Sequence, residues 1–224
     1  RQMCIRDRAY SQNTETNYFL KRLKVKKITS IGNLKFIEHD NFKTNQADKK
    51  LFSQFRKYKT FVAASTHNTE ELFAAKTHIL LKKKIKNIIT IIIPRHINRI
   101  DQIISQINEL GLNTISRRSN KKKLDNIDIY LVDTFGESKK FYKFATTVFL
   151  GGSIIKRGGQ NPLEPARFGA KILHGPNIDN FRDVYKYLNQ LKISSSINSP
   201  QQCANSIIFK KNMKKVKKMK YLGT

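Results

Sequence analysis

The chain has 224 residues, 39% of them apolar, and carries 44 Lys plus Arg against 16 Asp plus Glu, a net charge of +28 at pH 7. That length holds one large domain, or one domain with a fragment of a second, and apolar residues gathered in runs allow a buried core. The two cysteines, Cys4 and Cys203, lie far apart without metal-ligand spacing; they indicate neither a disulfide framework nor a zinc site, and a reducing, cytosolic compartment is the default expectation. No apolar run approaches the ~18 residues of a membrane span, and no signal peptide is visible. The charge favours anionic partners, but Lys, Ile and Asn are enriched together, as an AT-rich genome would produce. Charge alone is therefore discounted as a sign of nucleic-acid binding.

Residues 1–8 carry no periodicity and are set aside as a candidate artefact. Residues 9–23 place Tyr18, Phe19 and Leu23 at helical spacing, and 25–31 read as a strand closing at Gly32-Asn33. Residues 37–59 read as a linker plus a helix carrying Leu51, Phe52, Phe55 and Tyr58. A regular alternation follows. Strands are expected at 61–64, 88–93, 114–116, 127–132, 148–150 and 171–174, with the β-branched run at 88–93 marking a central parallel strand. Helices are expected at about 69–83, 97–110 (stopped by Gly111), 136–144, 162–168, 181–191 and 201–221. This spacing predicts an α/β fold: a doubly wound, Rossmann-like parallel sheet with helices on both faces, whose ligands sit outside the carboxyl ends of the strands.

The candidate chemistry lies at those ends. Ser65-Thr66-His67 follows the first strand, Pro94-Arg95-His96 the second, Asp133-Thr134-Phe135-Gly136-Glu137 a later one and His174-Gly175-Pro176 the last. The strand Val148-Phe149-Leu150 runs into Gly151-Gly152-Ser153, a second glycine pair at Gly158-Gly159, and then Asn161-Pro162-Leu163-Glu164. Asn161 suits an N-cap, Pro162 the first helical position and Glu164 the third, where a carboxylate is favoured. Glycines delivered to a helix start leave backbone N–H groups open to a phosphate or carboxylate. Each turn alone is ordinary turn chemistry; five at one sheet edge predict a binding crevice.

These motifs, with Gly32-Asn33-Leu34-Lys35-Phe36, Gly175-Pro176 and Asn180-Phe181 in the same order and at similar spacing over about residues 10 to 205, resemble the C-terminal half of 3-deoxy-D-manno-octulosonic acid (Kdo) transferase. The resemblance implies the C-terminal domain of a GT-B glycosyltransferase. On it, 9–36 are a remnant of the N-terminal acceptor domain and 60–224 the nucleotide-sugar-binding domain. The family transfers Kdo from CMP-Kdo to a lipid A precursor at the cytoplasmic face of the inner membrane, as part of lipopolysaccharide synthesis in Gram-negative bacteria. By that resemblance CMP is held by Pro94, Arg95, Phe135, Gly136, Glu137, Asn161, Pro162, Leu163 and Glu164, with Ser65, His67, Gly152 and Ser153 supporting the cleft.

The residue types fit those roles. Arg95 can pair its planar fork with a phosphate, a helix start after Thr134 adds N–H donors, and Glu164 can accept from two ribose hydroxyls. His67 and His96 are read as loop-ordering or substrate-contacting groups, with no metal and no cofactor expected. Gln160 stands where the family commonly has His, and Phe135 where it has Met. The resemblance places the general base in the N-terminal domain, so the chain alone is expected to bind CMP or CMP-Kdo weakly and to transfer nothing.

Near the end of the chain, Phe209, Met213, Val216 and Met219 recur at helical spacing among lysines. That pattern suits a helix docked on the domain with its lysines in water, and also an anionic membrane surface. Two other functions fit less well: a GT-B transferase or epimerase using a UDP-sugar, and a basic nucleic-acid-binding module. The second lacks aromatic residues interleaved with the basic ones, and no nucleic-acid partner is expected.

Overall fold

The structure, a computed structural model, describes residues 8–11, 14–31, 46–119 and 123–210. It divides into two compact units, one within residues 1–41 and a larger one within 42–222. The smaller unit is β1 (Arg8–Ser11), α1 (Thr14–Arg22) and β2 (Lys27–Ser30), the two strands pairing in parallel with Arg8 opposite Lys27. The helix expected over 9–23 thus begins later, at Thr14, and Arg8, set aside by sequence, belongs to a strand. The reason is local: Tyr10 and Ser11 pair with Thr29 and Ser30, a partnership that periodicity within 9–23 could not reveal.

The larger unit opens with α2 (Gln46–Phe55), then β3 (Lys59–Thr66), α3 (Glu70–Lys82), β4 (Ile88–Pro94), α4 (Ile100–Asn108) and β5 (Thr114–Ser116). It continues with β6 (Ile129–Leu131), α5 (Ser138–Tyr142), β7 (Thr147–Leu150), α6 (Leu163–Arg167), β8 (Lys171–His174), α7 (Arg182–Gln190), β9 (Ser194–Ser196) and α8 (Pro200–Ser206). Single 3-10 turns, Ile97–Arg99 and Asp179–Phe181, lead into α4 and α7. All seven strands are parallel, in the order β5-β6-β4-β3-β7-β8-β9.

Alternation along each strand builds two cores. Val62, Ala64, Ile89, Ile91, Ile93, Val148 and Leu150 face a layer with Phe55 of α2, Phe141 and Tyr142 of α5 and Tyr185 and Leu188 of α7. Phe61, Ala63, Ile88, Ile92, Phe149 and Leu173 face the opposite layer, with Phe73, Ala74 and Leu81 of α3, Ile103 and Ile107 of α4 and Cys203 of α8. The helix expected within 37–59 is therefore α2, and it is built into the core through Phe55, with Leu51 and Phe52 against it. Thr90, fully buried in β4, is matched by His78 Nδ1 at 2.9 Å, while His78 Nε2 lies 3.3 Å from Asp128 Oδ1.

Three further expectations change. The strand β9 was not foreseen: Ser194-Ser195-Ser196 has weak strand propensity but completes the edge beside β8. The helix expected over 136–144 is the single turn and a half of α5, because Gly136 at φ 73° leaves the helical region and Glu137 becomes the N-cap. The long basic helix expected over 201–221 ends at Ser206, where Ile207 turns extended (ψ 134°); residues 211–224 lie outside those described.

Candidate functional site

The chain leaves β3 toward β4 on one side and returns to place β7 on the other, so the point of reversal lies between β3 and β7. Ligands of open parallel sheets collect outside the carboxyl ends of the strands beside such a reversal. There, β3 bulges between Ala64 and Thr66, with Ser65 at φ 55°. The chain of β7 passes so closely that a methyl group on Gly151 would meet the backbone of Ser65 and Thr66 and the carboxylate of Glu70.

The glycine loop after β7 was expected to offer free N–H groups. They are taken. Glu70, the fully buried first residue of α3, accepts from Gly152 N at 2.6 Å, Ser153 N at 3.1 Å, Ile154 N at 3.0 Å and His67 N at 3.0 Å. The physical reason is charge and geometry: successive backbone amides make an anion nest, and the nearest anion is the protein's own. Ser153 is equally committed. Its hydroxyl donates to Leu150 O at 2.5 Å and accepts from Gly175 N at 2.8 Å. Gly152 and Ser153 thus shape the edge rather than leave donors open to it.

Around that loop stands a cluster of cations and imidazoles. The His67 and His96 rings meet edge to face with centroids 5.6 Å apart. Burial holds the His67 pKa below its ordinary value, and the charges of His96, Arg157 and Arg95 depress it further against the pull of Glu70. His67 Nε2 is buried and has no hydrogen-bond partner. Gly152, at φ 65°, lets the His67 ring edge and the Gln160 amide close onto the loop. Arg95, exposed beyond the buried Pro94, is fixed by its own N–H to Thr66 O at 2.8 Å.

On the β6 side, Phe135 projects into solvent with 75% of its surface exposed, an unusual state for so large an apolar ring. Glu137 does not project. Its carboxylate accepts from Arg117 Nε at 3.0 Å and Nη2 at 3.1 Å, from Lys140 Nζ at 2.7 Å, and from the Thr134 hydroxyl. Arg117 and Lys140 also pair with Asp48 of α2. Burial would raise the Glu137 carboxyl, but these partners outweigh it and bring it down to about 2. Through these partners Glu137 is the post on which the Phe135-Gly136 turn is mounted.

At α6 the cap is displaced by one residue: Pro162 takes the N-cap position, and Asn161 Oδ1 still accepts from Leu163 N at 3.1 Å. Glu164, in the first turn, is drawn toward α5 by Lys139 Nζ at 3.8 Å. Behind the loop, the His174 and Tyr185 rings pack at a tilt of 52° with centroids 4.4 Å apart, and the Tyr185 hydroxyl donates to Gln160 O at 3.1 Å. The structure therefore gathers Pro94 and Arg95, Ser65 and His67, Phe135 to Glu137, and the 151–164 segment at one edge of one sheet. Glu70, Arg157, Arg117 and Asp48 were missed by sequence. Only Glu70 had a local signal, a carboxylate opening the helix that follows His67. Among the described residues no cluster of three or more His, Cys, Asp or Glu could hold a metal ion.

No family model matches the chain. It is 30% identical over 176 residues to the 3-deoxy-D-manno-octulosonic acid transferase of Haemophilus influenzae, spanning 77% of this chain and 41% of that protein. Against the enzyme of the same name from Rickettsia bellii it is 31% identical over 188 residues, 84% of this chain and 44% of that one. The crystal structure of the C-terminal CMP-Kdo binding domain of WaaA from Acinetobacter baumannii superposes with a TM-score of 0.62 at 24% identity, covering 71% of this chain and 86% of that chain. The resemblance to Kdo transferases stands. The sheet and its two helical layers have the fold of the C-terminal GT-B domain. The chain spans 41% and 44% of the length of these two relatives.

Proposed function

We propose that this chain is the nucleotide-sugar-binding part of a Kdo transferase, holding CMP-Kdo while Kdo passes to a lipid A precursor. The observation that carries the reading is the convergence of an exposed aromatic ring, Phe135, and an exposed guanidinium, Arg95, at the carboxyl ends of neighbouring strands. A ring open to water can stack on a pyrimidine, and a guanidinium can meet a single phosphate through two parallel hydrogen bonds. Glu164, in the first turn of α6, is an acceptor suited to ribose hydroxyls, and Asn161 sets the start of that turn. Pro94, Gly136, Pro162 and Leu163 supply backbone shape. Glu137 contributes by holding the turn, through the partners already described.

The acceptor lipid, the cytoplasmic face of the inner membrane and a peripheral attachment there follow from the same reading. Among the described residues no helix is long and apolar enough to cross a membrane. Titration of the chain with CMP, followed by amide shifts, is expected to move Arg95, Phe135 and Leu163 together. Arg95→Ala is expected to weaken CMP binding about tenfold, the worth of a charge-assisted hydrogen bond. Equal competition by UDP would favour a UDP-sugar enzyme instead, and shifts scattered over the surface would end the proposal.

A further inference from the structure

The glycine loop after β7 raises a question of charge that the nucleotide reading leaves open. Three consecutive N–H groups, those of Gly152, Ser153 and Ile154, point at one place, and such a nest elsewhere receives a phosphate. Here both oxygens of Glu70 fill it, Oε2 taking Gly152 N and His67 N, and Oε1 taking Ser153 N and Ile154 N. A donor phosphate arriving at this loop would meet a carboxylate instead of open amides. The anion of the ligand must then be met by side chains, and those standing around His67 are Arg95, Arg157 and His96.

The same carboxylate also fixes His67. The His67 N–H is bonded to Glu70 Oε2, and the Glu70 N–H to His67 O at 2.9 Å, so the four residues 67–70 are clamped at both ends. Between them Thr69 is held at φ 78°, a conformation a β-branched residue adopts only under constraint. The ring of the clamped His67 presents its unpartnered, buried Nε2 beside His96 and the loop.

We infer that Glu70 is a positioning residue for donor binding: an internal anion standing in the loop where a ligand anion would otherwise sit, holding Gly152–Ile154 and His67 in the geometry that receives the nucleotide sugar. The inference rests on the proposed nucleotide reading for its ligand, but not for its geometry. It carries a chemical consequence. Removing the Glu70 side chain leaves four backbone donors facing a hole of carboxylate size, and a small free carboxylate can refill it.

The test compares wild type with Glu70→Ala in sodium formate and in sodium chloride at equal ionic strength. Amide shifts of His67, Gly152, Ser153 and Ile154 report the loop, and calorimetry reports CMP affinity. In chloride, Glu70→Ala is expected to displace the four amide resonances and to weaken CMP binding at least tenfold. Formate is expected to move those resonances back toward wild type and to recover most of the affinity, leaving wild type unaffected. Glu70→Ala with wild-type CMP affinity in chloride, or formate acting no differently from chloride, overturns the inference. Should Glu70→Ala fail to fold in either salt, Glu70→Gln keeps the size and loses the charge. Weakened CMP binding by it upholds the inference, and unchanged binding overturns it. Wild type that ignores CMP refutes the nucleotide reading, while the four amides and their response to formate still judge Glu70.

Discussion

Arg117 and Glu137 are joined side to side, guanidinium Nε to Oε2 at 3.0 Å and Nη2 to Oε1 at 3.1 Å, with both side chains largely withdrawn from water. The pair ties the end of β5 to the turn that carries Phe135. Replacing Glu137 by Gln leaves Arg117, Lys140 and Asp48 with a charge imbalance, and should cost roughly 2 kcal/mol. The carboxyl is lowered from 4.5 to about 2 in the folded chain, so its contribution is complete above about pH 4.5 and fades as pH falls toward 2. Acid titration of thermal stability should show that loss in wild type and a smaller one in Glu137→Gln. Equal acid profiles would remove Glu137 from its anchoring role.

Phe135 separates binding from stability. With three quarters of its surface in water, its removal takes little from the core, so Phe135→Ala should change stability by less than about 0.5 kcal/mol. Stacking on a base is worth ~1–3 kcal/mol by alanine substitution, so CMP affinity should fall about tenfold or more. Calorimetry and a melting curve on the same variant decide it. Unchanged affinity would take the base away from this ring.

Two glycines make a second contrast. A methyl on Gly175 would collide with the Ser153 carbonyl, whereas one on Gly111 would meet nothing within 4 Å and face only the strain of φ 74°. Gly111→Ala should therefore cost about 1 kcal/mol. Gly175→Ala should cost more than ~2 kcal/mol, because backbone rather than a flexible side chain must give way. Chemical denaturation of both variants checks the order; equal losses would mean that the close approach of β8 to the loop is not maintained.

His78 gives a pH prediction of the opposite chemical type. Burial lowers its pKa below 6.5, against the opposing pull of Asp128. A histidine kept neutral in the fold contributes fully above about pH 6.5. Below that the unfolded chain takes up a proton that the folded chain refuses, and stability declines by at most ~1.4 kcal/mol per pH unit for one such group. His67 and His174 are lowered as well, while Glu71, raised by burial, acts in the other direction. The direct measurement is the His78 ring resonance. Its protonation should be displaced below pH 6.5, and an ordinary titration there would refute the account.

How much of this was legible depends on how far apart the partners lie. The run at 88–93 announced β4 because both of its faces are buried, which leaves no polar alternation to confuse the reading. The crevice was legible because each strand of the pattern ends in residues that cannot continue a strand. The tenants of the crevice were not. Glu70 meets donors 82 to 84 positions away, and Asp48 meets Lys140 across 92 positions, separations at which no local pattern carries information. The motif Phe135-Gly136-Glu137 shows nothing of the protein partners of Glu137, which are Arg117 from the end of β5 and Lys140, both tied in turn to Asp48 of α2. Ser194 to Ser196 escaped notice for a related reason, since their strand exists through the vacant edge of β8.

The position of β6 between β4 and β5 has a temporal consequence. The segment Thr114–Ser116 is made before Ile129–Leu131, yet its pairing in the sheet is with that later segment, Thr114 opposite Ile129 and Ser116 opposite Leu131. As the chain emerges from the ribosome, β3 and β4 can zip together at once, whereas β5 must wait, unpaired, for residues not yet synthesised. The outermost strand on that flank thus cannot close before β6 has been made, and Arg117, directly after it, waits longer still for Glu137.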